Sequence, residues 1–418
     1  MLKRTLTSLA LAALAVSSLV GGAPAGRTSA RAASNVTISF MTFSATPDHL
    51  KDLDTIRRGF EAANPGIHVN VMPVAFAQYF TKLQIAVAGN SAPDTFELDY
   101  QDFVSYASKG TLLNLATVTP RASYANVYYP RALAAFQANG AQYGLPESFS
   151  DVLLFYNKDL FDKAHVAYPT ATWTWSDEIN AARKLTGNGV YGDYEPVQFF
   201  EFYKVLAQAG GQFFNKAHTA VAFNSPAGVR AVNWLVDKAN RYHVMPTQAQ
   251  MGGLSDGDLF KAGKLAMDRT GIWMFSAFAA SSVHWDVALE PADRQRAHQY
   301  FANAVVISAK SPNAAASYKW LRYLTSSATA AHARIASSWE LPAVSDKSLV
   351  SQYLAQKPPQ HRQVVFQALD TLVLPPTINK ETQMQDVITK DLQQVQDGSL
   401  TAQAALADME SKVNTLLH

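Results

Sequence analysis

Apolar and polar residues alternate from Val36 in "VTISFMTF", which predicts a half-buried strand. Pro47 and Asp48 then open a helix that carries Leu50, Leu53, Ile56 and Phe60 on one face and closes at Asn64-Pro65-Gly66. A second strand, "IHVNVMP", sets Ile67, Val69 and Val71 on one side, and a second helix repeats Tyr79, Leu83 and Val87 at a spacing of four before Gly89-Asn90. The strand "DTFELD" and a helix ending at Gly110 complete a β-α-β-α-β-α series. Strands alternating with helices predict a mostly parallel sheet covered on both faces.

The same grammar restarts at "DVLLFYN", after the turn-rich "NGAQYGLPES", so a domain crossing is expected near Leu145 to Ser150. In "TWTWSDEI", Thr174 is an N-cap and Asp177 lies three residues on, the capping-box spacing with Asp in place of Glu or Gln. Trp175 then falls on the helix face of Ile179 and Ala182 and is expected in the core, whereas Trp173 lies outside that stripe. Later come a helix from Pro226 to Tyr242, strands "KLAMDRTGIW" and "ANAVVIS", a helix from Ala314 to Leu324 and helices from Gln360 onward. The last of these is capped by Ser399 or Thr401 and carries Ala405, Met409 and Val413.

The amino-terminal pattern differs. Lys3 and Arg4 precede an apolar run from Leu6 to Val20 and a Gly/Ala/Pro stretch, as in a secretory signal. Cleavage is expected at Ala30-Arg31-Ala32 rather than Ala23-Pro24-Ala25, giving a leader of residues 1–32. The run is about 15 residues, against roughly 20 for a bilayer span, so no anchor is expected. The chain's net charge is +2. Four positive charges and no negative ones leave with the leader (Lys3, Arg4, Arg27, Arg31), so the mature chain stands at −2. With Lys and Arg thinly spread, no nucleic-acid partner is expected. There is no cysteine, which excludes disulfides, thiolate metal sites and a lipid-modified cysteine. With residues 1–32 removed, about 386 of the 418 residues remain, beyond the ~250–300 at which one hydrophobic core stops growing, so two domains are expected.

Common catalytic devices are missing. "GNGVYG" (187–192) matches G-x-G-x-x-G but follows a helix, and reads as a C-cap and turn. No P-loop, H-E-x-x-H or G-x-S-x-G occurs, and the ten histidines have no ligand spacing. No cofactor or metal is expected. Glu97 and Asp99 share one strand face and Glu147 and Asp151 flank the crossing, so a glycoside hydrolase using Glu97 or Asp99 with Glu147 is one rival reading. A ferric-ion carrier using Tyr128 and Tyr129 is another, and a polyamine or peptide ligand also fits the residue types.

Several stretches together resemble the extracellular solute-binding proteins of carbohydrate ABC importers, the group of maltose-binding protein. They are "NSAPDTFELDY", "YASKGTLLNL", "YGLPESFSDVLLFYNKDLFDKA", "TWTWSDE", "AQAGGQFF", "FKAGKLAMDRTGIW" and "VVISAKSPNAAASYKWLRYLTS", in the family's order over nearly the whole mature chain. The resemblance implies an α/β, two-lobed periplasmic-binding-protein-like fold, with residues 33–148 and 297–345 in one lobe and 149–296 and 346–418 in the other. It further implies a sugar held in the cleft between lobes, no catalysis, hinge closure and delivery to a membrane permease by a monomer free in the periplasm or outside the cell. By the same comparison Trp273 in "TGIWMF" stacks on a sugar face, and Ser150 stands where the family offers a carboxylate, a role Glu147 or Asp151 would have to take. Tyr194, Glu195 and Phe199 fall in an aromatic loop, and Asp99, Tyr100 and Gln101 follow the third strand. Phe43 and Ser44 follow the first strand, and Trp339, beside Glu340, sits where the chain recrosses. Hydroxyls seeking charged partners and apolar ring faces seeking aromatics suit that residue set.

Overall fold

The computed structural model describes residues 35–417. The leader reading for residues 1–32 lies outside the described residues. Nine strands make up the main sheet: β1 (Val36–Thr42), β2 (Ile67–Pro73), β3 (Thr95–Asp99), β4 (Gly144–Asn157), β5 (Met267–Gly271), β6 (Trp285–Ala288), β7 (His298–Ile307), β8 (Leu341–Pro342) and β9 (Leu372–Val373). Their order is β8-β4-β7-β3-β1-β2, with β5 and β6 also paired to β4 and β9 paired to β7.

The β-α-β-α-β start forms as the periodicity predicts. β1 pairs in parallel with β2 (Val36 opposite Ile67) and with β3 (Phe40 opposite Thr95). Helices Pro47–Ala63 and Phe76–Ala88 make the crossovers, and Leu53, Ile56, Phe60, Tyr79 and Leu83 are buried. The rest of the sheet departs from the mostly parallel arrangement expected of it. β7 pairs antiparallel with β3 and β4, and β4 pairs antiparallel with β5, β6 and β8, so only β1/β2, β1/β3 and β7/β9 are parallel. Helical crossovers give parallel pairing in the first hundred residues and again at the two-residue β9, whereas the long strands β4 and β7 run antiparallel to each other and to their remaining neighbours.

β4 is the element that joins the two halves. Residues 144–151 pair with β7, and from Val152 the partners become β5 and then β6. "GLPES", read from sequence as turn, is therefore strand. The turn lies earlier, at Asn139-Gly140, and the register slips between Pro146 and Ser148, where a proline in a strand is tolerated. On the far side the core is built by helices Trp175–Leu185, Phe199–Gln208 and Pro226–Asn240, against which the carboxy-terminal helices Glu381–Gln396 and Ala402–Leu416 pack. On the near side helices Ala314–Ser326 and Ala328–Ser337 pack on helix Pro47–Ala63.

The local expectations around "TWTWSDEI" hold. Thr174 and Asp177 form the reciprocal capping box, and Trp175 is buried, stacked at 4.3 Å on Trp234 with its Nε1 donating to Gln208 Oε1. Trp173 is half-buried beside Phe161. "GNGVYG" is a turn: Gly187, Asn188 and Gly189 have positive φ, and a Cβ at Gly192 would meet the Ala182 carbonyl oxygen at 2.1 Å. Thr401, not Ser399, caps the last helix, whose Ala405, Met409 and Val413 are fully buried. No described helix is long and apolar enough to cross a membrane.

Candidate functional site

Ligands of open α/β sheets sit beyond the carboxyl ends of the parallel strands, so the candidate site is sought first at the ends of β1 and β3. Glu97, buried on β3, accepts from Thr42 Oγ1 and from Phe43 N, both at 2.9 Å, and Ser44 N donates to Thr42 Oγ1. These bonds fix the loop that presents Phe43 and Ser44, both half-buried. Burial, with Glu147 adding to it, raises the Glu97 carboxyl well above its ordinary range. Asp99 ends β3 as an N-cap, accepting from Asp102 N at 2.8 Å. Tyr100 beside it is half-buried, and Gln101 is buried with its Nε2 unpartnered.

At the crossing, Glu147 is buried and ion-paired with Arg334. Ser148 donates to Glu340, which Asn303 Nδ2 also approaches at 3.5 Å. Ser150 is buried on β4, and Asp151 next to it is fully buried with both carboxylate oxygens unpartnered. Burial pushes the Asp151 carboxyl up.

Trp273 lies in the single 3-10 turn Ile272–Met274 that comes after β5. It is half-buried and meets Phe301 edge-on at 5.6 Å, while Phe301 in turn meets Phe200 at 5.7 Å. The indole lies back across Gly271, where a Cβ would come within 1.9 Å of the ring, so glycine is what lets the ring take this place. Sequence reasoning misses Phe301 and Phe200. Their only signal is apolar residues just ahead of "ANAVVIS" and inside a helix start, which also describes ordinary core.

Three expected cleft residues are engaged elsewhere. Glu195 lies inside a buried ion network: Lys204 reaches it at 2.6 Å and Lys238 at 2.5 Å, and Trp234 Nε1 donates to it at 3.1 Å. Glu178, Asp193 and Glu290 share those lysines and Arg269, four carboxylates for three cations. Desolvation pushes Glu178 up to about 7 against the pull of Arg269 and Lys238. The sequence offers no sign of this because the cations lie 9 to 74 positions further along the chain. Phe199 is 1% exposed and packs on Phe200, Tyr203 and Phe213, so it is core. Trp339, 2% exposed, is closed between the His49 ring at 4.4 Å and the Arg334 guanidinium at 4.2 Å. Tyr194 is buried, its hydroxyl 3.4 Å from Gln248 Nε2.

The rival chemistries find no assembled site. Glu97 and Glu147 are both bound into structural contacts, and Tyr128 is buried with its hydroxyl on Thr325. Among the described residues no three His, Asp or Glu gather as a metal site.

A mixed α/β body of two halves joined by a shared long strand, with aromatic rings and hydrogen-bonding groups at strand ends, defines a two-lobed binding protein. Residues 43–331 match the family model for bacterial extracellular solute-binding proteins, and the chain belongs to that family. It is similar to the ABC substrate-binding protein of Listeria monocytogenes solved in complex with cycloalternan, at 40% identity and a TM-score of 0.87 over 91% of this chain and 98% of that one. It is also similar to an ABC transporter solute-binding protein of Thermotoga lettingae bound with α-D-tagatose (25% identity, TM-score 0.81, 92% of this chain and 100% of that one). The arabinooligosaccharide-binding protein of Bacillus subtilis is 28% identical over 185 residues, 43% of this chain and 42% of that protein. The chain is thus a solute-binding protein and not an enzyme.

Proposed function

We propose that the protein captures a carbohydrate, an oligosaccharide of the cycloalternan kind first among the candidates, and hands it to the permease of an ABC importer. The observation that carries the reading is the half-exposed Trp273, held over Gly271 at a strand end and flanked by Phe301. Such a ring offers an apolar face to a pyranose, while Asp99 and Asn303, opposite each other on β3 and β7, and Tyr100 and Ser44, just after β3 and β1, are the hydrogen-bonding groups assigned to its hydroxyls. The 40% identity to a cycloalternan-bound relative over nearly its whole length supports the same choice.

The two lobes comprise residues 33–148 with 297–345 and residues 149–296 with 346–418. The change of β4 partners at Asp151/Val152 supports that division, as does the packing of the carboxy-terminal helices on helix Pro226–Asn240. The protein works as a monomer released by cleavage of its leader, without the lipid anchor that a cysteine would carry.

Thermal melting of the leaderless protein with cycloalternan, maltotriose, maltose and α-D-tagatose tests the reading, with ferric ion, spermidine and short peptides alongside. A ligand at 100 times its Kd stabilises by about 2.7 kcal/mol. A rise with a carbohydrate, which is recovered intact, is expected. Rises confined to iron, spermidine or peptides would overturn the carbohydrate assignment.

A further inference from the structure

At the carboxyl ends of β1 and β2 lies a second group of aromatic rings, distinct from the one around Trp273. Phe76 opens helix Phe76–Ala88 three residues after β2 ends, and its ring is 60% exposed. It meets Phe43 at 5.6 Å and Phe80 at 5.6 Å, both edge-on, and Phe43 meets Phe80 at 6.1 Å. Phe76 and Phe80 are four apart and share a helix face, whereas Ile85, the other large apolar residue of that helix described as exposed, is nine positions on and lies opposite. The exposed Phe76 ring, with the half-buried Phe80 and Phe43 beside it, is therefore a local shelf and not one end of a broad apolar helix face.

The shelf is held from behind. Tyr79 packs edge-on against Phe43 at 5.2 Å, and its buried hydroxyl lies 3.1 Å from Met41 O and 2.9 Å from Glu97 O. Val74 N donates to Thr42 O at 2.9 Å, tying the ends of β1 and β2, and the Glu97 carboxylate holds Phe43 N. A ring packed edge-on against neighbours held in this way loses less freedom on binding than a free side chain does. It also stands on the side of the sheet where α/β ligands lie.

From this placement, and resting on the carbohydrate reading above, we propose that Phe76 is a stacking platform for a sugar unit at the rim of the cleft, additional to the unit on Trp273. Phe76, Phe43 and Phe80 form one ring group and Trp273, Phe301 and Phe200 another; with one sugar unit on each, the ligand has more than one ring. The cargo is an oligosaccharide, and Phe76 selects it over a monosaccharide.

Calorimetric titration of wild type and Phe76→Ala with cycloalternan and with α-D-tagatose tests this, with the melting temperature of each unliganded protein as the control for folding. The expected result is at least fivefold weaker cycloalternan binding by the variant, an unchanged unliganded melting temperature, and tagatose binding in wild type far weaker than that of cycloalternan. A Phe76→Trp variant should keep cycloalternan affinity and show a larger blue shift of indole emission on adding it than wild type, whose seven tryptophans include Trp273. Unchanged affinity in Phe76→Ala would overturn the proposal while leaving the carbohydrate reading intact. If that variant instead failed to stimulate the importer's ATPase in proteoliposomes, the shelf would be a permease contact. Tagatose binding as tight as cycloalternan would also overturn it. Wild type that binds neither these sugars nor maltose and maltotriose would remove the reading on which it rests.

Discussion

Glu201 shows what burial does to a single carboxyl. It is 6% exposed, one oxygen has no partner, and desolvation pushes it up to about 7 from 4.5, against the opposing pull of Lys204. A carboxyl raised in the folded state holds its proton more tightly there than in the unfolded chain. Its cost is therefore absent below about pH 4.5 and grows as pH rises to about 7. Glu201→Gln should raise stability at pH 8, by up to about 3 kcal/mol, and leave it unchanged at pH 4; urea melts at the two pH values check this. At the same scale, Trp273→Ala should weaken carbohydrate binding at least tenfold, about 1.4 kcal/mol, with little change in melting temperature. A large loss of stability with unchanged affinity would make the ring a core residue. Residue roles are the least legible part of the sequence. Glu195 and Trp339 have the right chemistry for a sugar, but the cations that claim them, Lys204, Lys238 and Arg334, come from other elements.

At the scale of elements, the helix Pro226–Asn240 depends on its one buried lysine. Lys238 Nζ lies 2.7 Å from Glu178, 2.8 Å from Asp193 and 2.5 Å from Glu195, joining three segments. Lys238→Met leaves those acids short of a cation, and breaking a buried pair on one side typically costs about 3–5 kcal/mol; chemical denaturation should show a loss of that order. The β5 end carries a different dependence. A Cβ at Gly271 must displace the Trp273 ring, so Gly271→Ala should weaken carbohydrate binding at least threefold in a calorimetric titration, although the residue touches no ligand itself. Elements with strong period are readable in advance: the first three strands, the capping box at Thr174 and the last helix. The "GLPES" segment is not, because glycine and proline signal a turn unless a distant strand, here β7, is present to pair with it.

For the whole molecule, β4 is the shared axis. Pairing with β7 up to Asp151 and with β5 and β6 beyond it makes one strand a member of both halves, so under the proposed capture by closure a change of twist near Ser150 to Val152 would rotate one half against the other. Sheet orientation escapes the sequence because periodicity reports which face of a strand is buried and says nothing of its partner's direction. The two-lobed plan is legible from chain length and the restart of the β-α grammar. Capture between lobes is tested most directly by small-angle X-ray scattering of the leaderless protein with and without saturating cycloalternan, binding being established by titration in the same buffer. The radius of gyration should fall on binding as the lobes close. Tight binding with an unchanged radius and an unchanged pair-distance distribution would contradict capture by closure between the lobes.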